Sequence, residues 1–289
     1  MIPERLVTWG SSGCSIREIA AYGEQRAAIV GPENVYNFTI GSPSIDPPPC
    51  VRQTIDRLMD TMPPTVLHAY APAQGLADVR RKMADYLNRT FSMDYRPQDV
   101  YMTDGASAAL SILAHALLSP GDEAITLAPF FSEYRVFVED AGGVLRVVPG
   151  LPGTFQPDLP AIEAAINEKT AVFLLNSPNN PSGVVLSREN LTDLCALLER
   201  KQREYGHPIY VVADEPYREL VYGGTEVAFI PAMYANTVYC YSFSKSMSLP
   251  GERVGFLALS PRAEDHDRVM AAVAGAYRTQ GYICVSSLF

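Results

Sequence analysis

The chain has 289 residues and a formal net charge of −9, with 23 Lys and Arg against 32 Asp and Glu. That balance lacks the basic face that nonspecific nucleic-acid binding needs, so a small molecule is the expected partner. A hydrophobic content of 47% with mean hydropathy of +0.01 fits a soluble globular protein, and no run approaches the roughly 18 apolar residues of a membrane helix, which excludes a membrane partner as well.

The N-terminus, Met-Ile-Pro-Glu-Arg-Leu-Val-Thr-Trp, lacks the apolar core of a signal peptide, and a cytoplasmic location is expected by default. Residues 1 to 45 read as irregular, and Asn37–Pro49, dense in Gly and Pro, reads as an ordered loop. Ile55, Leu58 and Met59 give Val51–Thr61 helical spacing. After Gly75 the positions Leu76, Val79, Met83, Leu87 and Phe91 recur with the same period and predict an amphipathic helix. Beyond it the pattern alternates. Strand Val100–Met102 precedes helix Ala108–Leu118, strand Ala124–Leu127 precedes a helix around Ser132–Asp140, and strand Val144–Val148 precedes helix Leu159–Ile166. Strand Ala171–Leu175, helix Glu189–Glu204 and strands Ile209–Ala213 and Val238–Tyr241 follow. Strands apolar throughout and separated by helices predict a mostly parallel sheet covered on both faces, a three-layer α/β/α fold. Val254–Leu259 follows its predecessor too closely for a helical crossover and is predicted antiparallel, and Ala263–Ala276 is the last helix. Cys14, Cys50, Cys195, Cys240 and Cys284 are scattered, odd in number and without a Cys-x-x-Cys pair. Neither a disulfide framework nor a metal site is expected of them, and they read as small buried hydrophobes.

Polar chemistry gathers at the ends of four predicted strands. Val100–Met102 runs into Thr103-Asp-Gly-Ala-Ser107, where a helix opens and its N-terminal N–H groups and dipole suit a phosphate. Ala171–Leu175 runs into Asn176-Ser-Pro-Asn-Asn-Pro-Ser-Gly183, a loop stiffened by prolines that can point an amide inward. Ile209–Ala213 ends in Asp214-Glu-Pro-Tyr217, a carboxylate at the sheet rim with a phenol one turn beyond. Val238–Tyr241 ends in Ser242-Phe-Ser-Lys-Ser-Met-Ser-Leu-Pro-Gly-Glu-Arg-Val-Gly255. There Lys245 is an amine which, near other cations, becomes nucleophilic toward carbonyls, Arg253 is a planar fork for phosphate, and Ser242 and Ser244 are short donors. A Ser/Lys-rich turn alone is commonly a solvated loop, but strand ends in doubly wound folds converge on one crevice. An amine (Lys245), a phosphate cradle (Gly105, Ala106, Ser107, Ser242, Arg253), a carboxylate (Asp214) and donors (Tyr217, Asn180) together suit pyridoxal 5'-phosphate. Its aldehyde takes a lysine, its ring nitrogen needs a carboxylate and its 3-oxygen needs donors.

With Asn-Asn-Pro-Ser-Gly183, Asp214-Glu-Pro-Tyr217 and Ser242-Phe-Ser-Lys245…Gly251-Glu-Arg-Val-Gly255 in that order, the sequence resembles the class I/II aminotransferases of the fold-type I pyridoxal-phosphate family over nearly its whole length. The resemblance implies transfer of an amino group between an L-amino acid and a 2-oxo acid, in amino-acid metabolism. It makes Lys245 the Schiff-base lysine and proton shuttle, Asp214 the partner of the pyridine nitrogen, and Tyr217 and Asn180 the ligands of the 3-oxygen, with Asn180 also facing substrate. Gly105, Ala106, Ser107, Ser242, Ser244 and Arg253 would hold the phosphate. Phe131, in Pro129-Phe-Phe-Ser-Glu-Tyr134, falls where the family stacks an aromatic ring on the cofactor. Tyr70, in Tyr-Ala-Pro-Ala-Gln-Gly75, falls where the neighbouring subunit of a homodimer reaches the phosphate, and Gly41 lies in a loop that closes on substrate. The implied organisation is an N-terminal arm with part of a small domain over residues 1–45, a large cofactor-binding domain over 46–262, and an interdomain helix with the start of the remaining small domain over 263–289. Family members run on for roughly 100 residues, a domain-sized piece that carries the arginine clamping the substrate carboxylate, so the chain reads as a fragment.

His68, His115, His207 and His266 match no family position. Ser242-Phe-Ser-Lys245 also satisfies the Ser-x-x-Lys motif of penicillin-recognising serine hydrolases, but their Ser-Asp-Asn and Lys-Thr-Gly partners are missing, Lys169-Thr-Ala being the nearest approach. Two other readings stay open: β-elimination at a carbon–sulfur bond or another α-carbanion exit on the same cofactor, and a non-catalytic cofactor-binding fragment.

Overall fold

Seven short apolar runs between residues 100 and 259 build one sheet in the protein's computed structural model, which describes residues 2–11, 15–281 and 284–288. Cys14 and Phe289, both touched by the sequence reading, lie outside the described residues. The chain divides into two compact units, Met1–Ile45 and Asp46–Phe289.

The first unit holds α1 (Glu4–Ser11) and α2 (Ser15–Val30), which corrects the expectation of an irregular arm. Alanines at 20, 21, 27 and 28 favour helix through propensity but add little to an apolar/polar period, so the pattern concealed α2. Gly31, at φ 90°, ends it in the left-handed conformation that a residue with a Cβ resists.

The second unit opens with α3 (Pro49–Thr61), α4 (Pro64–Leu67) and α5 (Ala77–Phe91). Then come β1 (Val100–Thr103), α6 (Gly105–Leu117), β2 (Glu123–Ala128), α7 (Glu133–Asp140), β3 (Val144–Pro149) and α8 (Leu159–Ala165). Next are β4 (Thr170–Asn176), α9 (Arg188–Tyr205), β5 (Tyr210–Asp214), α10 (Ile230–Met233), β6 (Thr237–Ser242), α11 (Phe243–Ser246), β7 (Gly255–Leu259) and α12 (His266–Thr279). The last helix starts later than its apolar spacing suggests, because Asp265 takes a left-handed φ of 51° that breaks the run from Ala263. Among the described residues no helix is long and apolar enough to cross a membrane.

The strand order is β1-β7-β6-β5-β4-β2-β3, and β7 runs antiparallel to both neighbours while the other pairings are parallel, as the sequence predicts. Strand periodicity sorts the core into layers. Val172, Leu174, Val212, Val238 and Leu257 point into one cluster with α6 and α12, whereas Phe173, Leu175, Val211 and Ala213 point into another with α8 and α9. A third cluster packs α5 against β1, β6 and β7. The edge strand β3 departs from the fully covered pattern expected of it, since Val144 is 42% and Val147 37% exposed. Among the cysteines, Cys195 and Cys240 are buried as expected and Cys284 is half-buried, but Cys50 is exposed on the first turn of α3.

The register brings the polar ends together. Gly255 opens β7 paired with Thr103, the last residue of β1, and with Ser242, the last of β6. Asn176, the last of β4, pairs with Asp214, the last of β5. Four carboxyl ends and one amino end therefore share a single rim.

Candidate active site

Asp214 ends a strand flanked on both sides by buried strands, and it is only 5% exposed. The Tyr134 hydroxyl on α7 donates to its Oδ2 at 2.6 Å, while Oδ1 is buried with no partner. Burial pushes the Asp214 carboxyl up to about 6, and the bond from Tyr134 opposes that rise. Burial and the facing carboxylate hold the Tyr134 phenol well above its ordinary range, so it remains a donor. Tyr134 closes the segment Pro129–Tyr134, and its one mark in the sequence is a place three residues after Phe131.

Asn176 is a second such group, marked in the sequence only as the start of the 176–183 loop. Its Nδ2 donates to the Asp214 carbonyl at 2.6 Å and its Oδ1 accepts from the Asn180 N–H at 2.6 Å, so one side chain ties the 176–183 loop to β5. Asn179 closes the loop from within by accepting from the Ser182 N–H at 3.0 Å and hydroxyl at 2.7 Å. Tyr217 lies beside this loop with its phenol near the Asn180 side chain. Burial, with the Asp214 charge adding to it, pushes its phenol up to about 12.

The opposite end of the rim is a close backbone crossing. Gly105 opens α6 at φ +78°, and a Cβ there would lie 2.6 Å from Arg253 Nη2; a Cβ on Gly255 would meet the Tyr241 carbonyl at 2.4 Å and the Gly105 backbone at 3.0 Å. Arg253 itself has a left-handed φ of 53°. Its Nη1 donates to the Pro250 carbonyl at 3.0 Å and its Nη2 to the Asp104 carbonyl at 3.3 Å, which turns the guanidinium toward the start of α6. The N–H groups of Gly105, half-buried Ala106 and exposed Ser107 occupy the first turn of that helix, where they have no intrahelical acceptor, and the Asp104 side chain does not cap them. Burial raises the Asp104 carboxyl and Arg253 opposes that rise.

Lys245 sits on the single turn α11. Ser242 Oγ caps that turn, accepting from the Ser244 N–H at 3.2 Å and lying 2.8 Å from the Ser244 hydroxyl. Both serines are buried, so their hydroxyls first serve the turn that carries the lysine. Burial and then the charge of Arg253 lower the half-buried amine below its ordinary value.

Two sets of predicted residues are thus assembled: Asp214 with Tyr217 and Asn180, and Lys245 with Arg253 and Gly105. Phe131 meets Tyr134 edge-on, at 5.8 Å and 90° between rings, one contact removed from Asp214. Tyr70 is 86% exposed, and Gly41 belongs to the first unit. Chemically the rim offers a cationic and amide-lined seat for an anion, a buried carboxylate with one unpartnered oxygen for a cationic N–H, and an amine of reduced basicity for a carbonyl.

The family described as aminotransferase class I and II matches residues 33–288. An aspartate aminotransferase from Thermotoga maritima is 34% identical over 241 residues, covering 82% of this chain and 61% of its own length. An aspartate/prephenate aminotransferase from Thermus thermophilus is 32% identical, covering 84% of this chain and 60% of its own length. Among solved structures, an aminotransferase from Eubacterium rectale at 48% identity has a TM-score of 0.97 over 100% of this chain and 73% of its own. The Thermotoga maritima aspartate aminotransferase structure, at 32% identity, scores 0.82 over 95% of this chain and 69% of its own. The chain spans 49% to 61% of the length of the curated relatives it matches.

Proposed function

The chain belongs to the class I and II aminotransferase family, which works with pyridoxal phosphate, and from that premise we propose that it moves an amino group between an L-amino acid and a 2-oxo acid. The observation that carries the reading is Asp214. A buried carboxylate with one oxygen bonded to Tyr134 and the other bare suits a cationic ring N–H, and a neutral ligand would leave the charge uncompensated. The donor set fits the rest of the cofactor. Arg253 and the first turn of α6 suit its phosphate, the Lys245 amine its aldehyde, and Tyr217 with Asn180 its 3-oxygen.

When bound, the cofactor supplies an electron sink for the substrate's α-carbon. Lys245 would provide the amine that holds the aldehyde, and the same amine would take and return the substrate's α-proton. Burial and Arg253 favour its uncharged, proton-accepting form over that of an exposed lysine. Asp214 keeps the ring nitrogen protonated, and Tyr134 keeps Asp214 in place. Tyr217 and Asn180 would support negative charge at the 3-oxygen, Asn180 would also face substrate, and Phe131 would supply an aromatic ring to the cofactor. In the same reading residues 46–262 form the cofactor-binding domain, 1–45 an arm with part of a small domain, and 263–289 an interdomain helix with the start of a small domain. The protein works as a cytoplasmic homodimer in which Tyr70 reaches the partner's phosphate site.

The names of the relatives make aspartate the first amino donor to try. The chain with pyridoxal phosphate is incubated with alanine, aspartate or cystathionine, each with and without 2-oxoglutarate. Glutamate formed only when 2-oxoglutarate is present supports amino transfer. Keto acid and ammonia released without it would replace that reading by elimination, and no product from any pair would leave a cofactor-binding chain without catalysis.

A further inference from the structure

Directly behind the site, one guanidinium gathers three separate points of the chain. Strand alternation turns Glu215, the residue after Asp214, away from Asp214's side of the sheet, and its carboxylate is 2% exposed. It pairs with Arg218, whose side chain is 11% exposed. Arg218 also donates to the Val227 carbonyl at 2.6 Å and the Ala228 carbonyl at 3.1 Å. Its guanidinium carbon lies 4.6 Å over Phe91 and 5.4 Å over Phe229, two rings stacked at 3.8 Å. Tyr217 is bracketed by this pair, with Glu215 two residues before it and Arg218 next after it.

A buried ion pair is a weak device for stability, because desolvation consumes most of its attraction and apolar replacements commonly serve as well. It is a strong device for geometry: a planar fork with several fixed acceptors holds a turn in one arrangement. We infer that Glu215 and Arg218 are a positioning pair that fixes the Tyr217 phenol against Asn180 and Asp214. The inference rests on the reading above, in which that phenol supports the cofactor's 3-oxygen.

The test uses Glu215→Gln, Arg218→Met, their double variant and Arg218→Lys, each with pyridoxal phosphate. Thermal stability and the pH midpoint of the bound cofactor's visible absorption are both recorded. A phenol donating to the 3-oxygen favours its anionic form, so a displaced phenol raises the midpoint, by about one unit. Tyr217→Phe is expected to show the full rise and the double variant most of it, even where removing both charges restores stability. Combining Tyr217→Phe with the double variant is expected to add little further, because the pair acts through the phenol. Arg218→Lys, which keeps the charge but loses the fork, keeps a folded variant available and is expected to show a smaller rise. A midpoint unchanged in every folded variant, with stability alone altered, overturns the positioning role. Failure of the unaltered chain to develop a visible band overturns the functional reading and this inference with it.

Discussion

Asp214 carries a buried carboxyl oxygen, Oδ1, that no protein group hydrogen-bonds. Its folded-state carboxyl is raised to about 6 by burial, so between pH ~4 and ~6 the folded chain holds a proton that the unfolded chain has released. The cofactor-free protein therefore loses stability as pH rises through that window, by up to about 3 kcal/mol, and Glu215, raised to about 7, extends the decline. Denaturation of Asp214→Asn at several pH values should give a flatter profile and a more stable cofactor-free protein at pH 7; a slope identical to that of the unaltered chain would contradict the account. With cofactor and substrate the order reverses, and the variant should remove the α-proton slower by orders of magnitude, as single-turnover rates would register. Tyr134→Phe leaves the second oxygen bare as well, and should cost about 1–3 kcal/mol by denaturation at neutral pH. Lys245, Asp214, Tyr217, Asn180 and Arg253 were legible because each lies inside a compact motif at a strand end. Tyr134 was not, since its partner is 80 residues away and only the packing of α7 brings them together. Glu215 and Arg218 lay in plain view, but nothing in their spacing distinguishes a buried pair from a solvated one.

At the start of α6 the proposed anion seat depends on backbone geometry more than on side-chain identity. Gly105→Ala would place a methyl 2.6 Å from Arg253 Nη2 at a φ that L-residues resist, displacing the guanidinium. Titration with pyridoxal phosphate should show affinity weakened about tenfold, which corresponds to about 1.4 kcal/mol; unaltered affinity in a folded Gly105→Ala variant would show that Arg253 does not define the seat. Gly255→Ala has less room to adjust, because the 2.4 Å clash is with a strand carbonyl. The strands and longer helices between residues 100 and 259 were legible because short apolar strands and amphipathic helices have distinct periods, whereas the four-residue helices α10 and α11 are too short to show one. Outside that range the signal weakened: alanine hid α2, and nothing in the apolar spacing announced the left-handed Asp265 that delays α12. The exposed face of β3 was hidden for another reason, since a valine-rich strand reads alike at an edge and at a centre.

Across the whole molecule, the strand order gives scattered motifs a common address. Thr103, Asn176, Asp214 and Ser242 are far apart in sequence, but parallel strands deliver every carboxyl end to one rim, and the reversed β7 returns Gly255 and Arg253 to it. The sequence made the parallel sheet and the reversal legible; the order of strands, which sets who meets whom, required tertiary structure. Tyr70, 86% exposed in the single chain, bears on the proposed homodimer. Sedimentation with cofactor should show a dimer, and Tyr70→Phe should weaken cofactor affinity; a monomer with undiminished affinity would contradict both. The central claim is that Lys245 is the covalent anchor of this rim. Borohydride reduction of the chain with pyridoxal phosphate, followed by peptide mapping, should place the added mass on Lys245 alone and yield none in Lys245→Arg, whereas a label on any other lysine would contradict the account.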